Sequence, residues 1–124
     1  MSNKLGYKEA FVILAETLDG WKSPISEDGK SVLQLHYQWA TTLLQNGQIL
    51  MAGPLDRELF IKPDINILGH TTGLIIIKAA SREEAEAIAS QDPFHIHGYR
   101  NNKVYSFAIG FCNSQISNVL SKVL

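Results

Sequence analysis

The chain has 124 residues, and its eleven Lys and Arg nearly balance twelve Asp and Glu, which leaves a formal net charge of −1. This length is typical of one globular domain, so we expect a single domain over 1–124. A hydrophobic fraction of 45% is too high for a disordered chain. Without an excess of positive charge, nucleic-acid binding is not expected.

Cysteine content and hydropathy indicate the compartment. Cys112 is the only cysteine, which excludes an internal disulfide and suits a reducing environment. The apolar runs are far shorter than the roughly 20 residues that span a bilayer. The first residues also lack the pattern of a secretory signal. We therefore expect a cytoplasmic protein that does not bind membranes.

The first half of the chain predicts two strands that flank a helix. In chain order, these elements are a strand over 10–18, a turn-rich loop over 19–30, a helix over 31–46 and a strand over 48–52. Both strands are short apolar runs, and Gly47 can adopt the left-handed conformation that closes a helix. His36 lies in the apolar stripe of this helix, near Val32 and Leu43.

The second half predicts two strands, a helix between them and a further helix. In chain order come a polar connection over 55–72, a strand over 73–79, a helix over 81–90, a strand over 103–111 and a helix over 113–124. Ser81 and Glu84 have the spacing of a capping box. Asp92 ends the helix because a residue that precedes proline is pushed out of the helical region. A connection as long as the one over 55–72 is often functional.

The predicted order β-α-β-β-α-β is that of the ferredoxin-like α+β fold, with an antiparallel sheet and an extra C-terminal helix. The core would span about 8–111, with a helical tail over 113–124. Two helices cover only one face of such a sheet. Alternation in the last strand places Tyr105 and Phe107 on one side of it. A second copy of the chain would cover the remaining face, so we predict a homodimer.

Two residues are candidates for acid–base chemistry. His36 can act as a base or an acid if its ring is desolvated, or it can be a packed core histidine. Asp92 can orient an imidazole as the supporting member of a base system. It can equally be the N-cap of a turn that begins with Pro93. The residues alone leave both alternatives open.

The remaining polar candidates give weaker signals. His95 and His97 would share a face of an extended segment and reach one metal. A zinc site needs three or four ligands, so no metal is predicted and exposed loop histidines remain the alternative. Three cations, Arg57, Lys62 and Arg100, can bind an anionic substrate or can be ordinary solvated charges.

Four features occur in a fixed order along the chain. They are His36, the segment GQILMAGP over 47–54, the helix over 81–89 and the tripeptide Asp92-Pro93-Phe94. Each motif is weak alone, but the ordered set resembles the YciI-like (YCII-related) family over roughly residues 8–111.

The resemblance implies a ferredoxin-like fold that pairs into a dimeric α+β barrel and that usually needs no cofactor. It also implies that His36 and Asp92 lie together in a cleft. The substrate-binding candidates are Gly53, Pro54 and Phe94 from the family motifs, with Arg57 and His97 added for their own chemistry. A few members of this family are dehydrochlorinases that act on chlorinated, hydroxylated aromatics.

The leading hypothesis is therefore a small cofactor-free enzyme in which Asp92 orients His36. His36 would move a proton on a small organic substrate, in a lyase-type elimination or an isomerisation. One alternative is a non-catalytic ligand-binding or interaction domain of the same fold. Another is a cofactor-free monooxygenase of the same barrel type.

Overall fold

The computed structural model describes residues 4–61 and 67–124. Its elements, in chain order, are β1 (Lys4–Thr17), α1 (Glu27–Gln45), β2 (Ile49–Pro54), α2 (Arg57–Ile61), β3 (Thr71–Ile77), α3 (Arg82–Ser90), α4 (Pro93–Ile96), β4 (Arg100–Phe111) and α5 (Ser114–Val123). Apart from the short helices α2 and α4, this is the predicted order. Within the described ranges, no helix is both long and apolar enough to cross a bilayer.

The first helix begins four residues earlier than predicted, at Glu27. Ser26 is its N-cap, and the Ser26 hydroxyl oxygen accepts a hydrogen bond of 3.0 Å from the backbone N–H of Gly29. Glu27 and Asp28 then lie in the first turn, where negative charge stabilises a helix. Turn-forming residues before 31 therefore belong to a cap and a first turn, and not only to a loop.

The strands form one antiparallel sheet with the order β2-β3-β1-β4, so β2 and β4 are the edges. This order is that of the ferredoxin-like plan. A helical layer that includes α1 and α3 packs on one face of the sheet. The main core lies between them and consists of Phe11, Ile13, Leu43, Ile49, Ile75, Ile77, Ala85, Ile88 and Ala89. Leu35 of α1 is 44% exposed.

The opposite face of the sheet is apolar and open in this chain. The strand register aligns one residue of each strand in a row: Met51, Ile76, Val12 and Tyr105. Because successive side chains of a strand point to opposite faces, this row faces away from the buried Ile13 and Ile77. Met51 is 52% exposed and Tyr105 is 48% exposed.

The last helix, α5, carries an exposed apolar stripe. The predicted helix over 113–124 is observed as Ser114–Val123, with Asn113 as its N-cap. The Asn113 side-chain oxygen accepts a hydrogen bond from the backbone N–H of Ile116. Two residues of the stripe, Val119 and Val123, are 59% and 37% exposed.

Candidate active site

The two predicted acid–base residues contact each other. His36 projects from α1, and Asp92 lies between α3 and α4, 56 residues further along the chain. The Nδ1 atom of His36 is 2.7 Å from Oδ1 of Asp92. The side chain of His36 is 13% exposed and that of Asp92 is fully buried. The fold therefore builds a direct, largely desolvated His–Asp hydrogen bond.

Asp92 is also the N-cap of α4, as its position before Pro93 allowed, and it makes this cap while it contacts His36. Its Oδ1 accepts a hydrogen bond of 3.0 Å from the backbone N–H of Phe94. Its carbonyl oxygen accepts hydrogen bonds from the N–H groups of His95 and Ile96. Pro93 occupies the first helical position, where no N–H donor is needed. Capping α4 thus fixes the carboxylate that receives His36.

Asn102 supplies a further hydrogen bond to Asp92. The side-chain Nδ2 of Asn102 on β4 donates to Oδ2 of Asp92 over 3.0 Å. The sequence motifs did not indicate this residue, which lies one position before the strand predicted over 103–111. Asparagine is disfavoured in strands, but this signal becomes visible only once β4 is known to begin at Arg100.

The surroundings of Asp92 keep its carboxyl ionised. Burial alone would raise the pKa of Asp92, but the hydrogen bond and charge of His36 oppose it. The Asn102 amide and the Arg100 charge act in the same direction, and the pKa lies below its ordinary value of 3.8. An ionised carboxylate only accepts hydrogen bonds, so Nδ1 of His36 carries the shared proton. Nε2 is then the nitrogen that can take or give a proton.

The lowered pKa of Asp92 predicts a specific pH dependence of stability. Above pH 3.8 the carboxyl is ionised in both states, and its stabilising contribution is fully present. As the pH falls through the lower pKa of the folded state, this contribution is lost. In the wild type, this carboxyl should lower the free energy of unfolding by up to about 1.4 kcal/mol for each pH unit of acidification in this interval. Asp92→Asn removes the carboxyl, so this part of the decrease should be absent from the variant.

Urea unfolding between pH 5 and pH 2.5 measures this slope. The matched control is Asp19→Asn, which changes an exposed carboxyl in the same way. If Asp92→Asn and the wild type have the same slope, Asp92 does not have a lowered pKa in the folded protein.

Aromatic rings surround the His–Asp pair. The ring of Phe94 stacks on His36 with centroids 4.4 Å apart and an interplanar angle of 24°. Trp39 lies on the same helix, with its ring centroid 5.6 Å from that of His36. The ring centroids of Trp21 and Tyr99 lie 5.6 Å and 5.9 Å from the ring centroid of Phe94. These rings exclude water and lower the local dielectric, which strengthens the His36–Asp92 interaction.

Arg100 is a buried cation of this site. It is only 3% exposed, and its guanidinium carbon lies 4.6 Å from the ring centroid of Phe94. Burial lowers the pKa of Arg100 to about 10, which still leaves it charged at neutral pH. Gly73 makes room for it, because a Cβ there would lie 2.8 Å from Nη1 of Arg100. For Arg100, the alternative of an ordinary solvated charge is wrong.

The other predicted binding residues lie outside this cluster. Gly53 and Pro54 are exposed on β2, the sheet edge opposite β4, and Arg57 is exposed at the start of α2. Lys62 falls outside the described residues. Of the predicted set, Phe94 is the one that the fold packs directly against His36 and Asp92.

The two neighbouring histidines do not lie on the expected extended segment. His95 is on α4, and its Nδ1 accepts a hydrogen bond of 3.2 Å from the backbone N–H of Asn102. His97 is the exposed C-cap of the same helix. In the part of the chain that the structure describes, no group of three or more His, Cys, Asp or Glu side chains is arranged to hold a metal ion.

A cavity of about 370 Å³ lies beside this site. Its lining includes Trp21, whose ring contacts Phe94, but not His36 or Asp92. The other lining residues come from the end of β1, the start of α1 and the neighbouring loops: Thr17, Leu18, Asp19, Lys22, Ser23, Ser26, Asp28, Ile67 and Leu68. The cavity and the His–Asp pair are therefore neighbours separated by the Trp21 and Phe94 rings.

The antiparallel sheet with a helical layer on one face places this chain among the small α+β proteins. Within that class, the model of the YCII-related domain matches residues 10–108 of this sequence. The chain belongs to the YCII-related domain family, as its ordered motifs indicated.

A solved structure shares the fold. It is the 5-chloro-2-hydroxyhydroquinone dehydrochlorinase from Burkholderia phenoliruptrix in complex with 2,5-dihydroxybenzoquinone. The match has a TM-score of 0.54 and 20% identity, and it covers 77% of this chain and 90% of the other. No curated protein matches the sequence.

Proposed function

We propose that this protein is a small acid–base enzyme that needs no cofactor and acts on a small hydroxylated or anionic organic substrate. The observation that carries the proposal is the 2.7 Å contact between Nδ1 of His36 and the buried carboxylate of Asp92. A carboxylate in this position orients the ring and stabilises the imidazolium that forms when Nε2 accepts a proton. The partial exposure of His36 leaves a route to that nitrogen.

The reaction class that fits this pair best is an elimination or an isomerisation. In an elimination, Nε2 of His36 accepts a proton from a substrate C–H or O–H group. The electron pair of the broken bond moves into the substrate, and the leaving group departs with its own bonding pair. In an isomerisation, the imidazolium returns the proton to another atom of the same substrate. Neither reaction consumes an oxidant or a reductant.

The name of the structural neighbour suggests which probes to use first. That protein is a dehydrochlorinase of a chlorinated hydroxyhydroquinone, bound to a dihydroxybenzoquinone. For this chain we propose small hydroxylated ring compounds as the substrate class. Phe94 would shape the site by its stacking on His36, and the exposed residues Gly53, Pro54, Arg57 and His97 remain the candidates for contacts with other parts of the substrate, Arg57 for an anionic group.

A substrate panel tests this function. Chlorinated and non-chlorinated hydroxylated aromatics are incubated with the purified protein, and chloride release and ultraviolet spectra report elimination and isomerisation. We expect turnover without an added cofactor and its loss in His36→Gln. Turnover that survives His36→Gln unaltered would exclude the assigned role of His36.

We also propose that a second copy of the chain covers the open face of the sheet, as in the dimeric α+β barrel that the family resemblance implied. The row Met51, Ile76, Val12 and Tyr105 is apolar and crosses all the strands. Phe107, on the same face of β4, is 38% exposed. An apolar patch that crosses a whole sheet is uncommon on a monomeric protein and supports an interface.

A charged substitution on this face tests the dimer. Tyr105→Asp should convert the dimer to a monomer at micromolar concentration, because it buries an unpaired charge in the interface. The control Leu44→Asp introduces the same charge at a residue of α1 that is 60% exposed. Sedimentation velocity measures both variants. A wild-type protein that sediments as a monomer would rule out the proposed interface.

The cavity beside Trp21 favours a second candidate function, a non-catalytic ligand-binding domain. Its volume of about 370 Å³ suits a small molecule, and its lining does not include the His–Asp pair. A panel compound that is never converted and that quenches the fluorescence of Trp39→Phe, in which Trp21 is the one remaining tryptophan, would favour this alternative.

A further inference from the structure

The side chain of Asn102 has one determined orientation. Its Nδ2 donates to Oδ2 of Asp92 over 3.0 Å and to the carbonyl oxygen of Ala89 over 3.0 Å. Exchange of the amide nitrogen and oxygen would place Oδ1 against a carboxylate and a carbonyl, which cannot donate. Both N–H groups of the amide therefore donate hydrogen bonds, and one of them donates to the candidate catalytic carboxylate.

The hydrogen bonds of this amide are all made as a donor. Asn102 is 8% exposed, and its Oδ1 has no hydrogen-bond partner among the described residues. The side chain thus interacts with the rest of the fold through Nδ2. The amide therefore acts as a hydrogen-bond donor to both Ala89 and Asp92.

The backbone of Asn102 is anchored as well. β4 is an edge strand, so some of its N–H groups point away from the sheet and need other partners. The backbone N–H of Asn102 donates a hydrogen bond of 3.2 Å to Nδ1 of His95 on α4. Asp92 is the N-cap of α4 and His95 lies within it, so the same short segment positions both residues of the Asn102–Asp92 interaction.

We propose that Asn102 is a positioning residue that holds the carboxylate of Asp92 in place for His36. The N–H of Phe94 binds Oδ1, and the Asn102 amide binds Oδ2. With a donor on each oxygen, the carboxylate cannot rotate, and Oδ1 stays directed at Nδ1 of His36. Asn102 acts through Asp92 and has no contact with the reacting nitrogen. Its catalytic meaning rests on the proposed function, but its geometry can be tested without a substrate.

An NMR titration of the Asp92 carboxyl carbon tests the proposal. The variant Asn102→Leu keeps the approximate volume and removes both donors. We expect the midpoint of the Asp92 titration to rise by about one pH unit, since a hydrogen bond to the charged form is lost. The Nδ1 proton of His36 should also broaden or move, because the carboxylate is no longer fixed.

The matched control is Val104→Ala, the next residue of β4 on the same side of the sheet, which packs on the main core. It should lower stability and leave the Asp92 titration unchanged. If Asn102→Leu titrates like the wild type, or Val104→Ala shifts the midpoint equally, the proposal is wrong.

The wild type provides a second measurement in case Asn102→Leu does not fold. The Asn102 side-chain N–H resonances should shift with the midpoint of the Asp92 carboxyl, and their failure to respond would overturn the proposal. These outcomes are independent of turnover. A positive titration result in a protein that converts no substrate would overturn the proposed function and leave the position of Asn102 established.

Discussion

His36→Gln is expected to lower kcat by about 10²–10⁴-fold for any substrate that the protein converts, because it removes the group that moves the proton. Glutamine keeps a polar side chain at the same position of α1 but cannot accept a proton at neutral pH. Steady-state kinetics measure the loss. The control is His70→Gln, which changes an exposed histidine just before β3 and should leave kcat unaltered.

The pair should also behave as a unit. Asp92→Asn keeps the size of the side chain but removes the charge that stabilises the imidazolium, so kcat should fall in this variant too. Because both residues serve one proton transfer, the double variant should be no slower than His36→Gln alone. Losses that multiply in the double variant would show that the two residues act separately.

Phe94→Ala is expected to lower the free energy of unfolding by about 3–5 kcal/mol, as for other buried aromatic residues. Phe94 is fully buried and contacts the rings of His36, Trp21 and Tyr99 and the guanidinium of Arg100. The space left by the removed ring can be filled only if one of these groups moves. Chemical denaturation measures the change.

The control for Phe94→Ala is Ile96→Ala. Ile96 lies on the same short helix but is 64% exposed, so its truncation should cost less than about 0.5 kcal/mol. Equal losses in the two variants would mean that Phe94 does not organise the site. Phe94→Leu, which retains an apolar side chain, should fall between the two.

The main elements could be predicted from sequence because their signals are local. Ser81 caps α3 as its spacing indicated, and the Ser81 hydroxyl accepts from the N–H of Glu84. The family motifs placed His36 with Asp92. Spacing alone could not, because the two residues are 56 positions apart and meet only through tertiary packing.

What the sequence did not reveal depends on long-range packing. Arg100 resembles an ordinary surface charge until β4 is placed beside β1 and under Phe94. Asn102 acquires its role only when the sheet edge meets the turn at Asp92. The helix α2 lies inside the connection predicted over 55–72, where no apolar periodicity indicated it. The roles of Arg100 and Asn102 depend on how β4 packs against the segment from Asp92 to Phe94, which no local sequence pattern encodes.

The cavity beside Trp21 and the His–Asp pair are two separate places where a ligand could bind. Which of them a substrate occupies therefore tests whether His36 is the reacting residue. A crystal structure of the protein with a bound hydroxylated aromatic compound from the substrate panel is the most direct measurement. We expect a ligand oxygen or carbon within about 3.2 Å of Nε2 of His36. A ligand held only in the cavity, with the rings of Trp21 and Phe94 between it and His36, would contradict the role proposed for His36.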